Sequence, residues 1–204
     1  MVLKFYADPR LHAGGGNAIV ALVLAENQIP FEHISVSVAA KEHKTAEYLA
    51  IHPFGKVPAI DDDGFILYES RAICRHMAEN YADQGPPLLP KRLQERAVFE
   101  QAASVEFANF RLHFQKITYE TFGKPRRGLP TDQTVFDTAV AALSTTPDVY
   151  EVILGEHRFL AGDEFTVADL FHLMHAHVSA RLAQDARGGN QGNCGLDEGD
   201  HKLS

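Results

Sequence analysis

The sequence predicts two domains, an α/β domain followed by an all-helical domain. The first observation is a strand, helix and strand pattern near the start, which is the βαβ unit. The second is a hairpin signal at Asp63-Gly64 with a helical pattern after it. The third is a run of apolar residues at helical spacing from residue 91 onward. We place the α/β domain at residues 1–83, a linker at 84–90, the helical domain at 91–186 and a disordered tail at 187–204.

The composition is that of an ordinary soluble globular protein, with 45% hydrophobic and 23% charged residues among 204. The net charge of -8 argues against nucleic acid as a partner. Two cysteines, Cys74 and Cys194, are too few for a disulfide framework or a zinc ribbon, and they favour a reducing, cytoplasmic location. Neither a signal peptide nor a membrane span is expected, because the apolar run at residues 18–25 is too short.

The first strand is predicted at residues 2–6, and Pro9 ends it. A glycine-rich turn at residues 13–17 precedes an apolar segment of helical length at 18–26. A second strand at residues 32–38 alternates apolar and polar side chains. The crossover rule makes the two strands parallel and places the glycine-rich turn at a strand-to-helix junction.

Residues 52–72 read HPFGKVPAIDDDGFILYESRA and predict a small site for a polar ligand. A cis bond at Val57-Pro58 would leave the Val57 N–H and C=O free for a strand-like ligand. The hairpin at Asp63-Gly64 is followed by Ser70 at the predicted start of a helix. The hydroxyl of Ser70 and the first free N–H groups of that helix suit a carboxylate.

The helical domain is predicted to begin with one long helix over residues 91–120, stopped at Gly123-Lys124-Pro125. Its apolar positions recur at steps of three to five residues: Leu93, Ala97, Val98, Ala102, Val105, Ala108, Leu112 and Ile117.

Later helix boundaries are predicted from capping signals. Thr131 is expected to cap the next helix, and Thr146 to cap another that starts at Pro147 and closes at Gly155. Thr166 and Asp169 form a capping-box pattern, so a further helix is expected from Val167. Its histidines, His172, His175 and His177, lie among core-like residues and predict no metal site.

With these features the chain resembles the glutathione transferases, most closely the phi class with its fungal relatives. The resemblance rests on residues 52–60, on 61–71, on Glu42-His43-Lys44, on QAASVEF at 101–107 and on 160–170. It implies a thioredoxin-like domain packed on an all-helical domain, usually as a homodimer. It also implies glutathione as a substrate and no separate cofactor.

The resemblance implies six glutathione-binding residues: His43, Lys44, Lys56, Val57, Glu69 and Ser70. Val57 would pair its backbone with the cysteinyl unit, and Glu69 and Ser70 would bind the γ-glutamyl end. His43 and Lys44 would bind the glycyl carboxylate. Lys56 stands where the family usually has Gln, so the long donor is kept and a positive charge is added.

The phi class activates the glutathione thiol with a serine just after the first strand. Residues 7–17, ADPRLHAGGGN, contain no Ser, Thr, Cys or Tyr, and the missing Cys also argues against the thiol-transferring classes. Three substitutes stay open: the backbone N–H groups of residues 14–17, which include Gly16, the amide of Asn17, and the ring of His12. Tyr6 is a weaker candidate, because strand alternation favours its burial.

The predicted function is conjugation of glutathione to hydrophobic electrophiles, with reduction of peroxides by the same thiolate. Phe110 and Phe114 are candidates for the electrophile pocket between the domains. The alternatives are a non-catalytic protein that binds glutathione or hydrophobic ligands, and an interaction module of glutathione transferase type. The match fades after about residue 175, so a truncated helical domain of lower stability is expected.

Overall fold

The computed structural model of the protein describes residues 2–9 and 15–173. Its first half is an α/β unit built from these elements: β1 Leu3–Ala7, α1 Gly16–Glu26, β2 Phe31–Ser35, a 3₁₀ turn Glu42–Lys44, α2 Ala46–Ile51, β3 Ala59–Asp62, β4 Phe65–Tyr68 and α3 Ser70–Asn80. The four strands form one sheet in the order β2-β1-β3-β4. This is the predicted thioredoxin-like arrangement.

The pairing of the strands follows the predicted connections. β1 and β2 are parallel, as the intervening helix requires, with Leu3 opposite Phe31. β1 and β3 are antiparallel, with Phe5 opposite Ile60. The second strand, predicted at residues 32–38, is observed at Phe31–Ser35. Of its apolar positions, Ile34 is half-buried, Val36 just after the strand is buried and Val38 is exposed.

The hairpin between β3 and β4 is confirmed. Asp63 and Gly64 have φ of 55° and 89°, and positive values at both central residues are what a type I′ turn needs. The Asp61 carboxylate accepts a hydrogen bond from the Gly64 N–H at 2.7 Å and so closes the turn.

The second half is helical: α4 Leu93–Val105, a π turn Glu106–Arg111, α5 Leu112–Thr118, a second π turn Tyr119–Gly123, a 3₁₀ turn Pro125–Arg127, α6 Gln133–Ser144, α7 Thr146–Glu156 and α8, residues 167–173. The predicted long helix is therefore continuous and ends where the glycine and proline stop it. Its two π turns were not predicted. Leu93, Val98 and Leu112, which the apolar spacing counts with the buried positions, are exposed.

Two predicted helix ends need correction. Asp132, not Thr131, caps α6, because its carboxylate accepts from the Val135 N–H at 3.1 Å. The Thr131 hydroxyl donates instead to the Glu120 carbonyl at 3.0 Å. Thr146 does not cap α7 but is its first residue, and its hydroxyl donates to the Asn109 carbonyl at 3.2 Å; the helix continues past Gly155 to Glu156.

The predicted capping box at the start of α8 is confirmed. The Asp169 carboxylate accepts from the Thr166 N–H at 2.8 Å and from the Leu160 N–H at 3.0 Å. The Ala168 N–H donates to the Thr166 hydroxyl at 3.3 Å, and the helix starts at Val167. The preceding loop and the helix start are thus held by one carboxylate.

One hydrophobic core joins the two halves. Phe5, Ile60 and Met77 from the α/β unit lie in the same buried cluster as Phe99 of α4 and Phe171 of α8. α8 therefore packs directly against the α/β unit. The predicted tail at residues 187–204 lies outside the described residues. Within the part of the chain that the structure describes, no helix is long and apolar enough to cross a membrane.

Candidate functional site

Three chain segments meet at Gly16, the first residue of α1. A Cβ placed on Gly16 would lie 2.9 Å from the Ser70 Cβ and 3.0 Å from both the Ser70 Oγ and the Pro58 Cδ. The start of α1, the Val57-Pro58 step and the start of α3 therefore converge at close range. The peptide bond between Val57 and Pro58 is cis, and Val57 lies before the ladder pairs of β3, which begin at Ala59.

Glu69 and Ser70 form a polar pair at the start of α3. Glu69 is exposed and has φ of 70°, a conformation that is uncommon for a residue other than glycine. Ser70 is buried, 8% exposed, and is the first residue of the helix. A carboxylate next to a hydroxyl and free helix N–H groups can bind an ammonium and a carboxylate side by side.

The loop before Val57 is held by Lys44. Its ammonium donates to the carbonyls of Phe54 at 3.1 Å and Gly55 at 2.7 Å. Gly55 has φ of 53°, and a Cβ there would lie 2.5 Å from the His43 carbonyl. The His43 Nδ1 is buried and has no hydrogen-bond partner among residues 2–9 and 15–173. Lys44 thus fixes the loop, and His43 has an unused ring nitrogen beside it.

An aromatic cluster supports the same loop. The His52 ring is 2% exposed and stacks on Tyr68 with ring centroids 4.6 Å apart. Burial lowers the pKa of His52 below its usual 6.5, while Glu69 acts in the opposite direction. The Tyr48 hydroxyl donates to the Lys56 carbonyl at 2.7 Å, and the Lys56 side chain is exposed. The loop is therefore anchored through its backbone, which leaves the Lys56 ammonium available.

The start of α1 is where the sequence predicts activation of the thiol, and the structure describes it from residue 15 onward. Asn17 is 8% exposed, and its Oδ1 has no hydrogen-bond partner in the described ranges. The first N–H groups of α1 lack intrahelical partners, as at any helix start. His12 and Gly14 lie outside the described residues. Tyr6 is half-buried in β1.

A buried ion pair joins the two halves beside this site. Arg71 donates to both Glu106 oxygens, at 2.8 and 2.6 Å, and Glu106 is 0% exposed. Burial raises the pKa of Glu106, and the cation of Arg71 opposes that change. The sequence interpretation missed this pair. The sequence signal for this pair is Glu106, an acid among the apolar positions of the predicted long helix.

Aromatic residues of the helical half form a second cluster. Phe110 and Phe114 stack with centroids 5.8 Å apart, and Phe110 also lies 5.3 Å from His172. Phe114 is buried, whereas Phe110 is half-buried. His172 is bound by the Tyr150 hydroxyl and the Ala168 carbonyl, both at 2.8 Å. His172 therefore has a structural role.

The other two histidines of the predicted helix, His175 and His177, lie outside the described residues. In the described ranges, no group of three or more His, Cys, Asp or Glu side chains is placed to hold a metal ion.

Known proteins match the chain over most of its length. Residues 11–79 match the family described as the glutathione S-transferase N-terminal domain. Glutathione S-transferase F10 of Arabidopsis thaliana is 40% identical over 173 residues, which are 85% of this chain and 79% of the relative. Glutathione S-transferase hmp2 of Hypomyces subiculosus is 38% identical over 86% of this chain and 82% of its own.

Solved structures give the same result. Glutathione transferase F2 from Populus trichocarpa superposes with a TM-score of 0.80 at 40% identity, over 86% of this chain and 80% of the other. Maize glutathione S-transferase I in complex with an atrazine glutathione conjugate superposes with a TM-score of 0.79 at 30% identity, over 91% of this chain and 87% of the other.

Proposed function

The chain belongs to the glutathione S-transferase family, and we propose that it conjugates glutathione to hydrophobic electrophiles at the site around Gly16, Val57 and Ser70. The observation that carries the proposal is the contact of Gly16 with Pro58 and Ser70. This contact brings a helix start, a free backbone segment and a polar pair within reach of one tripeptide.

Glutathione has an ammonium and a carboxylate at its γ-glutamyl end and a second carboxylate at its glycyl end. We assign the ammonium to Glu69 and the adjacent carboxylate to the Ser70 hydroxyl and the first N–H groups of α3. The Val57 backbone pairs with the cysteinyl unit. His43 and Lys56 bind the glycyl carboxylate, Lys56 through its exposed ammonium and His43 through its half-buried ring.

The contacts of Lys44 differ from the role that the resemblance implies, which is binding of the glycyl carboxylate. Two of its three N–H groups are directed at the carbonyls of Phe54 and Gly55. One N–H remains for the glycyl carboxylate, so its main contribution is the shape of the loop that presents Val57.

The thiol is activated at the start of α1. Helix N–H groups from Gly16 onward and the Asn17 Nδ2 group donate hydrogen bonds to the thiolate, and the thiol proton leaves to solvent. The thiolate attacks an electrophilic carbon, a C–S bond forms, and a displaced group leaves with its electron pair. With a peroxide, the thiolate attacks oxygen and releases an alcohol, and a second glutathione thiol converts the sulfenic acid to the disulfide and water.

The electrophile binds against the helical half. The half-buried ring of Phe110 stacks on the buried ring of Phe114. An aromatic electrophile can therefore pack against Phe110. His12 stays a candidate donor to the thiolate, with the backbone N–H groups of residues 14–17.

We propose that the protein is a phi-like enzyme, related also to the fungal type, and that it acts in the cytoplasm as a homodimer. Phe54 and Phe65, which are 65% and 52% exposed, support an association surface on the α/β unit. The domains divide at residues 84–90, where the chain passes from α3 to α4.

Calorimetric titration with glutathione and conjugation of 1-chloro-2,4-dinitrobenzene test the function. We expect binding and formation of the thioether, and we expect Glu69→Gln to weaken binding of glutathione about tenfold through loss of a charge-assisted hydrogen bond. Glu79→Gln is the matched control, since Glu79 is an exposed carboxylate at the other end of α3. Binding without thioether formation would show a binding protein, and absence of both would refute the proposal.

A further inference from the structure

Arg111 lies at the end of the π turn Glu106–Arg111 and is half-buried. Backbone bonds in a π-helix join residues five apart, so Arg111 and Glu106 lie on the same side of the helix. Glu106 contacts Arg71, which follows Ser70 at the start of α3. That side of the helix therefore faces the Glu69 and Ser70 pair.

The charges around Arg111 leave it without an ion pair. Both Glu106 oxygens accept hydrogen bonds from Arg71, at 2.8 and 2.6 Å. In the ranges that the structure describes, Arg111 forms no salt bridge, and its aromatic contact is the Phe107 ring, 5.4 Å from its Cζ. Glu106 acts on both cations, but its two oxygens are engaged by Arg71, so the half-buried guanidinium of Arg111 can gain from an additional anion that forms hydrogen bonds with it.

The electrostatics agree with that geometry. Burial, and after it the neighbouring cation of Arg71, lowers the pKa of Arg111, and the carboxylates of Glu106 and Glu69 act in the opposite direction. The guanidinium keeps its charge in any case. Glu69 is exposed and is directed to a substrate ammonium in the proposed complex, so it does not neutralise Arg111 there.

We propose that Arg111 is a further substrate-binding residue, which binds a carboxylate of the substrates held beside Glu69 and Ser70. This inference rests on the proposed function. The carboxylate is either that of the γ-glutamyl unit of glutathione or an acidic group on the electrophile. The planar guanidinium binds either one through two parallel hydrogen bonds, a geometry that a lysine does not reproduce.

The test compares Arg111→Gln and Arg111→Lys with the wild type. Arg158→Gln is the matched control, since Arg158 also lies over an aromatic ring, 5.5 Å from the centre of Phe159, at an exposed position. Calorimetry measures binding of glutathione and of γ-aminobutyryl-cysteinyl-glycine, which lacks the γ-glutamyl carboxylate. Steady-state kinetics use neutral 1-chloro-2,4-dinitrobenzene and anionic 4-chloro-3-nitrobenzoate.

If Arg111 binds glutathione, Arg111→Gln raises the Kd of glutathione about tenfold and leaves that of the shorter analogue unchanged. If it binds the electrophile, the variant raises the KM of the benzoate about tenfold and leaves the KM of the dinitrobenzene and the Kd of glutathione unchanged. Arg111→Lys has an intermediate effect on the same substrate, and it supplies the comparison if Arg111→Gln does not fold.

The proposal is overturned if every Kd and KM of the variants stays within about twofold of the wild type, or if all substrates are affected equally together with the melting temperature. A wild type that binds no glutathione refutes the proposed function instead, and calorimetry of the wild type separates the two failures.

Discussion

Asn17 combines burial with a side-chain oxygen that has no hydrogen-bond partner in the described part of the chain. The unpaired oxygen is an acceptor, so it cannot bind a thiolate; the group of Asn17 that can donate to a thiolate is the Nδ2 amide of the same side chain. Its place in the first turn of α1, next to Gly16, makes the glutathione thiol the ligand we propose.

We expect Asn17→Ala to raise the pKa of bound glutathione's thiol by about one unit, because a donor to the thiolate is lost. At neutral pH, kcat/KM then falls about tenfold with little change in the Kd of glutathione. The pH dependence of kcat/KM measures this shift, and Asn80→Ala, an exposed asparagine at the end of α3, is the control. An unchanged thiol pKa would assign the activation to the backbone N–H groups or to His12.

Gly16→Ala tests the close contact at the centre of the site. The new Cβ would lie 2.9 to 3.0 Å from Ser70 and Pro58, so one of the three segments has to shift. We expect the Kd of glutathione to rise at least about tenfold, since the Ser70 hydrogen bonds depend on that geometry. Isothermal calorimetry measures the change.

Gly155→Ala is the control for that substitution, because Gly155 also lies in a helix and a Cβ there meets nothing within 4 Å. This variant should bind glutathione normally and gain up to about 1 kcal/mol of stability from the better helix propensity. Normal glutathione binding by Gly16→Ala would contradict the assigned site.

Among individual residues, the sequence predicts those features that are determined by neighbouring positions in the chain. The Val57-Pro58 step, the Asp63-Gly64 turn and the helix start at Ser70 are local signals, and the structure has each of them. Arg71 and Glu106 are 35 positions apart in the chain, and no local sequence pattern predicts that these two residues contact each other. The position of Arg111 was not predicted for the same reason.

Among the secondary-structure elements, α8 shows how one side chain can organise a helix start. Asp169 accepts hydrogen bonds from the Thr166 N–H, the Thr166 hydroxyl and the Leu160 N–H. It thus joins the loop that precedes the helix to the first turn, whose Val167 packs in the shared core.

We expect Asp169→Ala to lower the free energy of unfolding by about 2 to 3 kcal/mol, because several charge-assisted hydrogen bonds are lost at a half-buried position. Asp132→Ala removes a single cap bond at the exposed start of α6 and should cost about 1 kcal/mol. Urea unfolding of both variants compares the two caps. Equal losses would mean that the Asp169 network adds nothing to an ordinary cap.

The predicted elements succeeded where capping and turn residues mark the ends, as at Val167 and Asp63-Gly64. The two π turns of the long helix were not predicted. They depend on how that helix packs in the assembled fold rather than on a sequence window.

For the whole molecule, two buried histidines link stability to pH. Burial lowers the pKa of His52 and of His172 below the usual 6.5. A histidine with a depressed pKa stabilises the folded state while both states are neutral, above the unfolded value near 6.5, and that stability is lost as pH falls.

We therefore expect the free energy of unfolding to be lower at about pH 5 than at about pH 7.5, because the unfolded chain binds more protons in that interval. Urea titrations across this range measure the slope. His52→Asn should make the slope shallower, because it removes a buried ring whose pKa is lowered in the folded state. A stability that rises toward acid pH would contradict the assignment of neutral, buried rings.

The π turn at Glu106–Arg111 also bears on how this chain can vary in length. A single π turn holds one residue more than an α-helix needs to connect the same two flanking segments. Deleting the exposed Ala108 is therefore expected to leave α4 and α5 in register with their neighbours. Arg111 then follows Glu106 by four positions instead of five, and residues four apart share a face of an α-helix, so Arg111 stays on the side of Glu106. The placement of the proposed carboxylate-binding cation is thus expected to tolerate a one-residue change in chain length at this turn.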